Sequence, residues 1–344
     1  MDDRILTRMG DGSLVETTRA QLRADVEDGT QQAARRAKVP PLEQGELDHL
    51  EDIFCSNARF TGVDLGDEVI MSYDGSGNAD LGSRMTEMLA YQTHQGADIL
   101  ELWHIDYSYK AIKTILSFEA HEMKMSQLNL TIPMQYGAMP DLGRYSKPDG
   151  PIPNWSELMP LGRIEEARAA QLEAGEMATH DMLFVADGMV EAGTDGLDFD
   201  TAGAAGDGDF LATLNAVEKI RAKHPHVGIE VGMASEFVLG MHGELEYRGE
   251  RLAGMWPHQQ VKAVAAAGGT IFGPAVNVNT RKSVAWNVSR ACTLVKRCCE
   301  EATIPVHMNV GMGVGGVPMT AYPPVDAVSR VSKALVDVTR MDGL

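Results

Sequence analysis

Acids, amides and imidazoles gather at the ends of short apolar runs in this chain, which is where a βα enzyme keeps its chemistry. The runs end in His104-Ile105-Asp106-Tyr107, Gln135-Tyr136-Gly137, Asp198-Phe199-Asp200-Thr201, Glu230-Val231-Gly232, Asn277-Val278-Asn279 and His307-Met308-Asn309-Val310-Gly311. Period-two alternation puts Leu197 and Phe199 on one face, to meet helices, so that Asp198 and Asp200 point into a barrel interior. Glu230 stands between Gly228 and Gly232, and His307 and Asn309 oppose Val306 and Met308. In the first run either Glu101 and Trp103 or Leu102 and His104 face inward, and periodicity does not choose. Carboxylates converging on a partly buried mouth repel one another unless they share protons or face a cation. Asp106, Asp200 and Glu230 together therefore suit a positively charged substrate, although any one of them alone could cap a helix or pair with a lysine.

Loops add further candidates. The segment Ala202-Gly203-Ala204-Ala205-Gly206-Asp207-Gly208-Asp209 opens a helix and has the glycine content of a phosphate cradle. Its two aspartates argue against an anion, and Asp209 reads as the N-cap of a helix over 209–223. Gly311 to Gly316 formally contains G-x-G-x-x-G, yet Pro318, Pro323 and Pro324 precede the next helix, whereas a dinucleotide turn runs straight into its helix. A flexible loop over the mouth is expected there. The long loop after the fourth run carries His242, which is a functional candidate or an incidental loop histidine. Trp256 and His258 open the following helix, where an indole and an imidazole would line the same mouth. The loop from Pro140 to Gly162 has the length of a lid or docking surface. Glu230 and Asp200 are thus the candidates for handling a proton or pairing with a cation. Gln135, His307, Asn309, His104 and Asp106 are candidates for orienting substrate, with His242, Trp256 and His258 on a loop or partner face.

The elements that must position these groups alternate between apolar runs and longer helical stretches from residue 96 onward, the pattern of parallel strands with crossover helices. The runs are Ile99 to Asp106, Leu130 to Tyr136, Gly196 to Asp200, Val227 to Met233, Thr270 to Asn277 and Ile304 to Val310. Helices are predicted near 110–128, 163–191, 209–223, 257–267, 282–301 and 324–341, with Pro257 and Pro324 suited to first turns. Before them, Arg4 to Thr7 and Ser13 to Thr17 flank Gly10-Asp11-Gly12 as a hairpin, and short helices are expected around 18–28, 43–53 and 82–95. The organisation read from this is a hairpin and helical extension over 1–95 and an α/β domain over 96–344. That domain is expected to be a (β/α)8 TIM-type barrel that stops after about six βα units. Strands one, three and five are entered through glycine turns. Met341-Asp342-Gly343-Leu344 matches that style and announces a seventh strand, so a closed eight-unit barrel would need roughly 80 more residues. An open six-unit doubly wound sheet is the other reading.

Composition narrows the partners. With 49 acids against 30 bases, a formal charge of −19 spread along the chain disfavours nucleic acid. No apolar run reaches the roughly 18–20 residues of a membrane span, and Met1-Asp2-Asp3-Arg4 lacks a signal-peptide pattern. A cytoplasmic protein is expected, with no membrane partner and with a homo-oligomer allowed. Cys55, Cys292, Cys298 and Cys299 are poorly placed for disulfides or zinc, so reduced thiols and no metal site are expected. The 20 methionines read mostly as core filler.

Several long, ordered stretches carry a resemblance. They are Gly96-Ala97-Asp98 through Trp103-His104-Ile105-Asp106-Tyr107-Ser108, Tyr136-Gly137-Ala138-Met139-Pro140 with Pro148-Asp149-Gly150-Pro151, and Phe199-Asp200-Thr201 through Asp209. Further on come Gly240-Met241-His242-Gly243, Leu252-Ala253-Gly254 through Trp256-Pro257-His258-Gln259-Gln260, and Gly311 through Gly316 with Pro323-Pro324. From Arg8-Met9-Gly10-Asp11-Gly12 to the last residue the sequence resembles the dimethylamine:corrinoid protein Co-methyltransferases of methylamine-using microbes. The resemblance implies transfer of a methyl group from dimethylamine to the cobalt(I) of a corrinoid (cobalamin) on a cognate protein, leaving monomethylamine, in methanogenesis or a related C1 pathway. It also implies pyrrolysine, encoded by an in-frame amber codon, just beyond Leu344. That residue is absent from this chain, and the 344 residues alone are expected to be inactive. The alternatives are a non-catalytic subunit that binds the corrinoid protein, or an unrelated barrel lyase or aldolase, for which Lys110 is the nearest Schiff-base lysine.

Overall fold

A computed structural model of the chain describes residues 4–56, 97–99, 113–117, 145–194, 196–311, 313–320 and 324–344. The chain divides into two compact units, residues 1–96 with 273–344 and residues 97–272. Among the described residues, no helix is long and apolar enough to cross a membrane.

In the first unit, β1 (Arg4–Arg8) and β2 (Leu14–Thr18) form the predicted hairpin. Gly12 turns the chain at φ +89°, and Asp11 accepts from the Ser13 N–H at 2.9 Å, an aspartate turn of the usual kind. Thr18 then caps α1 (Arg19–Ala37) reciprocally with Gln21: the Gln21 N–H donates to the Thr18 hydroxyl at 3.2 Å, and the Thr18 N–H donates to the Gln21 side chain at 3.1 Å. α1 runs well past residue 28, where periodicity places its end, because Gly29 is a packing residue and not a stop. A methyl there would stand 2.4 Å from the Trp286 carbonyl oxygen, so the glycine lets α1 lie close against α7 (Val284–Glu301). α2 (Gln44–Cys55) and α8 (Val325–Thr339) pack on α7 as well, closing a core that includes Trp286, Val288, Ala291 and Val295.

The sixth apolar run is extended over a shorter stretch than predicted. Its paired part is Val306–Met308, and its partner is the end of the chain. His307 and Gly343 make a parallel bridge, the Asp342 N–H donates to the Val306 carbonyl at 3.0 Å, and the Met308 N–H donates to the Gly343 carbonyl at 3.2 Å. Gly311 to Gly316, expected as a flexible loop, is pinned to 276–278. The Val278 N–H donates to the Gly313 carbonyl at 2.7 Å and the Gly315 N–H to the Val276 carbonyl at 3.0 Å.

In the second unit, β3 (Ala97–Ile99), β4 (Lys113–Ser117), β5 (Gly196–Ala202), β6 (Gly228–Met233) and β9 (Ile271–Gly273) follow one another across one sheet in that order. β5 and β6 are parallel, joined by α5 (Asp207–Lys223), the predicted βαβ unit. Leu197, Phe199, Ile229 and Val231 are fully buried. α4 (Ile164–Glu191) and α6 (Pro257–Ala267) pack on either side of α5. α6 keeps its predicted bounds because Pro257 opens it and Gly268, at φ +100°, closes it. Before α4 comes the one-turn α3 (Trp155–Leu158). The loop between β6 and α6 holds a small ribbon, β7 (Glu246–Tyr247) with β8 (Glu250–Arg251).

One predicted element is overturned. The helix expected near 110–128 is a strand over 113–117, antiparallel to both β3 and β5. Lys-Thr-Ile-Leu-Ser carries two β-branched residues in succession, which favour the pleated surface over a helix. The α/β class with a parallel strand pair is present, and among the described residues the strands form no closed barrel. The predicted strand over 130–136, the helix over 82–95 and most of the run from Ile99 to Asp106 lie outside the described residues.

Candidate functional site

β5 and β6 bring together the two acids singled out as catalytic and add a third. In the parallel register Asp198 lies opposite Glu230. Asp198, Asp200, Glu230 and Gly232 alternate with the buried Leu197, Phe199 and Val231, so all four share the other face. A methyl on Gly232 would sit 3.5 Å from Asp200 Oδ1 and 3.9 Å from Asp198 Oδ1. Asp198 and Glu230 are each only 5% exposed, while Asp200 is half-buried at the strand's end. Carboxylates held this close on one sheet face favour a cation among them. Strand parity alone puts Asp198 on the same face as Asp200.

The backbone around Asp200 is bent to present it. The β5–β6 register shifts between Phe199 and Ala202, and Thr201 sits in the left-handed region at φ +54°. Asp200 Oδ1 accepts from the Thr201 N–H at 2.9 Å. A register break with a strained non-glycine residue is a way of re-aiming a side chain at a sheet's end.

The glycine-rich segment after β5 is no phosphate cradle, and Asp209 is not the cap. α5 begins at Asp207 behind Gly206, which takes φ +99°. Asp209 lies in its first turn and accepts from the Ala205 N–H at 3.3 Å. Asp207 is fully buried and accepts three successive backbone N–H groups: Met241 at 3.1 Å, His242 at 3.2 Å and Gly243 at 2.8 Å. This carboxylate fills a nest of amides that would otherwise attract an anion.

His242 belongs to the same knot. It is 5% exposed, and its Nε2 lies 2.7 Å from Gln171 Oε1. The Gln171 amide nitrogen donates to the Ala205 carbonyl at 2.8 Å, which fixes Oε1 as an acceptor and His242 Nε2 as the protonated nitrogen. Burial pulls the imidazole pKa below its usual value, with Arg168 adding to the effect and Asp207 and Glu244 opposing it. Burial thus favours the neutral imidazole.

Trp256 and His258 are half-buried at the start of α6, and the indole packs on Phe237 with ring centroids 5.4 Å apart. Phe237 and the buried Glu236, four and three residues past the end of β6, were not read as candidates. His307 and Asn309 lie in the first unit, on the opposite side of their segment from the buried Val306 and Met308, as parity predicts. Gln135, His104, Asp106 and Lys110 lie outside the described residues.

No solved structure matches the chain. A family model described as dimethylamine methyltransferase matches residues 3–344. The chain belongs to the dimethylamine methyltransferase family.

Proposed function

We propose that the Asp198, Asp200 and Glu230 face is where the chain holds dimethylammonium and takes its proton. The observation that carries this is the pairing of Asp198 opposite Glu230 in the ladder, with the Asp198 and Asp200 carboxylates both set against Gly232, which has no side chain. A dialkylamine is protonated at neutral pH, and the protonated nitrogen has no lone pair to offer. A carboxylate that pairs with the cation and then accepts its N–H proton supplies both binding and general-base chemistry. Asp200, at the bent strand end, and Glu230 are the groups assigned this work. Gln135, His104 and Asp106 keep orienting roles in this proposal, and His242, Trp256 and His258 the loop or partner face.

The methyl acceptor in this reading is the cobalt(I) of a corrinoid on a separate protein. The corrinoid would accept the methyl group without the C–N electron pair, which would stay on nitrogen, and the carboxylate would return its proton to that nitrogen so that monomethylamine leaves. Pyrrolysine, which is not among these 344 residues, is the electrophile the family resemblance implies. The same reading takes the fold as part of a (β/α) barrel, with an extension over 1–95 and the barrel domain over 96–344. A cytoplasmic setting is supported by four cysteines that are all unbridged. The family match favours this over a lyase or aldolase.

The test is methyl transfer followed by the change in cobalt absorbance, with the protein expressed in a host that decodes amber as pyrrolysine. Glu230→Gln and Asp200→Asn are each expected to slow transfer by about 10²–10⁴-fold, the range for a lost general base. Unchanged rates in both would refute the assignment. Pull-down of the corrinoid protein by an inactive but folded chain would favour the binding-subunit alternative.

A further inference from the structure

The knot around Asp207 ties two loops that the sequence keeps far apart. One is the turn from Thr201 to Gly206, which begins next to Asp200. The other is the loop from β6 to α6, which carries Glu236 and Phe237 near its start and Trp256 at its end. The Asp207 N–H donates to the Leu239 carbonyl at 2.8 Å, and the Asp207 carboxylate takes the N–H groups of Met241, His242 and Gly243. Gln171 of α4 bridges both loops, from His242 on one side to the Ala205 carbonyl on the other. Arg168, one turn earlier on α4, donates to the His242 carbonyl at 3.1 Å.

The glycines around the knot are there for closeness. A methyl on Gly206 would stand 3.0 Å from the Leu239 carbonyl oxygen, and one on Gly208 3.1 Å from Gln171 Oε1. Beyond the knot, the Gly254 N–H donates to the Val238 carbonyl at 2.8 Å and the Val238 N–H to the Met255 carbonyl at 3.0 Å. The knot thus holds the middle of the long loop, and this pair of bonds holds its neck.

We infer that Asp207 is a positioning residue for the amine site. Together with His242 and Gln171 it staples the β6–α6 loop to the Asp200 turn, so that the two loops move as one body. None of the three need touch the substrate. Asp207 acts through Asp200 and the loop that it anchors. Three amide N–H groups converging on one buried carboxylate make the coupling stiff, because releasing either loop would strand both the charge and its donors away from water.

The inference rests on the amine reading for what the loops hold, but its test is separable from it. Hydrogen exchange of the full chain, read by mass spectrometry, compares the unsubstituted protein with Asp207→Asn and with Gln171→Ala, a milder variant that leaves the buried carboxylate in place. Each folded variant is expected to exchange about tenfold or more faster in 201–206 and 239–243 together, with the last turns of α5 unchanged. Its Kd for dimethylammonium should rise several-fold, a shift that lower global stability alone does not give. Addition of dimethylammonium should slow exchange in 239–243 of the unsubstituted protein and do so less in the variants. Opening of only one segment, or joint opening with amine affinity unchanged where Glu230→Gln does weaken it, would overturn the inference. If Glu230→Gln leaves amine binding intact while the two segments still open together, the amine reading fails and the staple stands.

Discussion

Asp198 of β5 stands directly across a parallel ladder from Glu230 of β6, each 5% exposed. Asp200 lies one step further along the same face. The surrounding backbone serves that placement, through the register break after Phe199 and the left-handed Thr201.

Thr201 holds a conformation that costs an L-residue about 1–2 kcal/mol. Thr201→Gly removes that penalty and keeps the N–H that Asp200 accepts, so it is expected to hold or raise stability by up to about 1 kcal/mol. Thr201→Pro can supply neither the positive φ nor the N–H, and should cost about 3 kcal/mol or more. Chemical denaturation of the two variants checks this, and equal losses in both would contradict the strain.

Gly29 is the contact between α1 and α7. Gly29→Ala improves helix propensity by about 1 kcal/mol, yet its methyl would lie 2.4 Å from the Trp286 carbonyl oxygen. Backbone cannot give way as a flexible side chain can, so net destabilisation of about 1–3 kcal/mol is expected by denaturant titration. A stabilised variant would show that the helices lie further apart.

Asp28 titrates with the fold. The Trp286 indole N–H donates to it at 2.7 Å and Lys282 at 3.1 Å, and these bonds hold its carboxyl below the usual range. A depressed carboxylate contributes stability that is present above its unfolded pKa and is lost as pH falls through the folded one. The side chain is 49% exposed, so screening keeps the contribution to about 1 kcal/mol or less. Melting curves should show Asp28→Asn costing stability at pH 7 and costing progressively less below about pH 4. A cost independent of pH would assign the effect to packing.

The thiols of Cys292, Cys298 and Cys299 are pushed up by burial, Cys299 to about 12. A thiol held above its usual range is scarcely ionised at pH 8, and the thiolate is the reactive form. Alkylation mapped by mass spectrometry should therefore leave these three unmodified in the native chain and modify them in denaturant. Labelling of Cys292 under native conditions would show that the α7 core opens.

How much of this was legible depended on the distance over which each feature is determined. β5, β6 and α6 follow from local pattern, namely apolar runs of the right length and a proline and glycine at the helix ends. Face parity separates Asp198 and Asp200 from Leu197 and Phe199, and Glu230 stands at the end of the next run. β4 was misread because Lys113 to Ser117 is too short to show a period, and its strand state depends on partners as remote as Asp198. Asp207 was hidden for a similar reason. Its amide donors lie 34–36 residues downstream, so the local glycines and acids pointed to a cap at Asp209. α1 extends beyond the expected 18–28 because its second half is held by packing on a remote element, with Gly29 against Trp286.

The central claim is that the β5–β6 carboxylates bind the amine as a cation. Calorimetric titration of the full chain with dimethylammonium chloride near pH 7.5 tests it, using the unsubstituted protein, Glu230→Gln and Asp200→Asn. Each substitution is expected to weaken binding by about ten- to a hundredfold, the loss of one charge-assisted hydrogen bond. Affinities equal to the unsubstituted protein in both folded variants would contradict it.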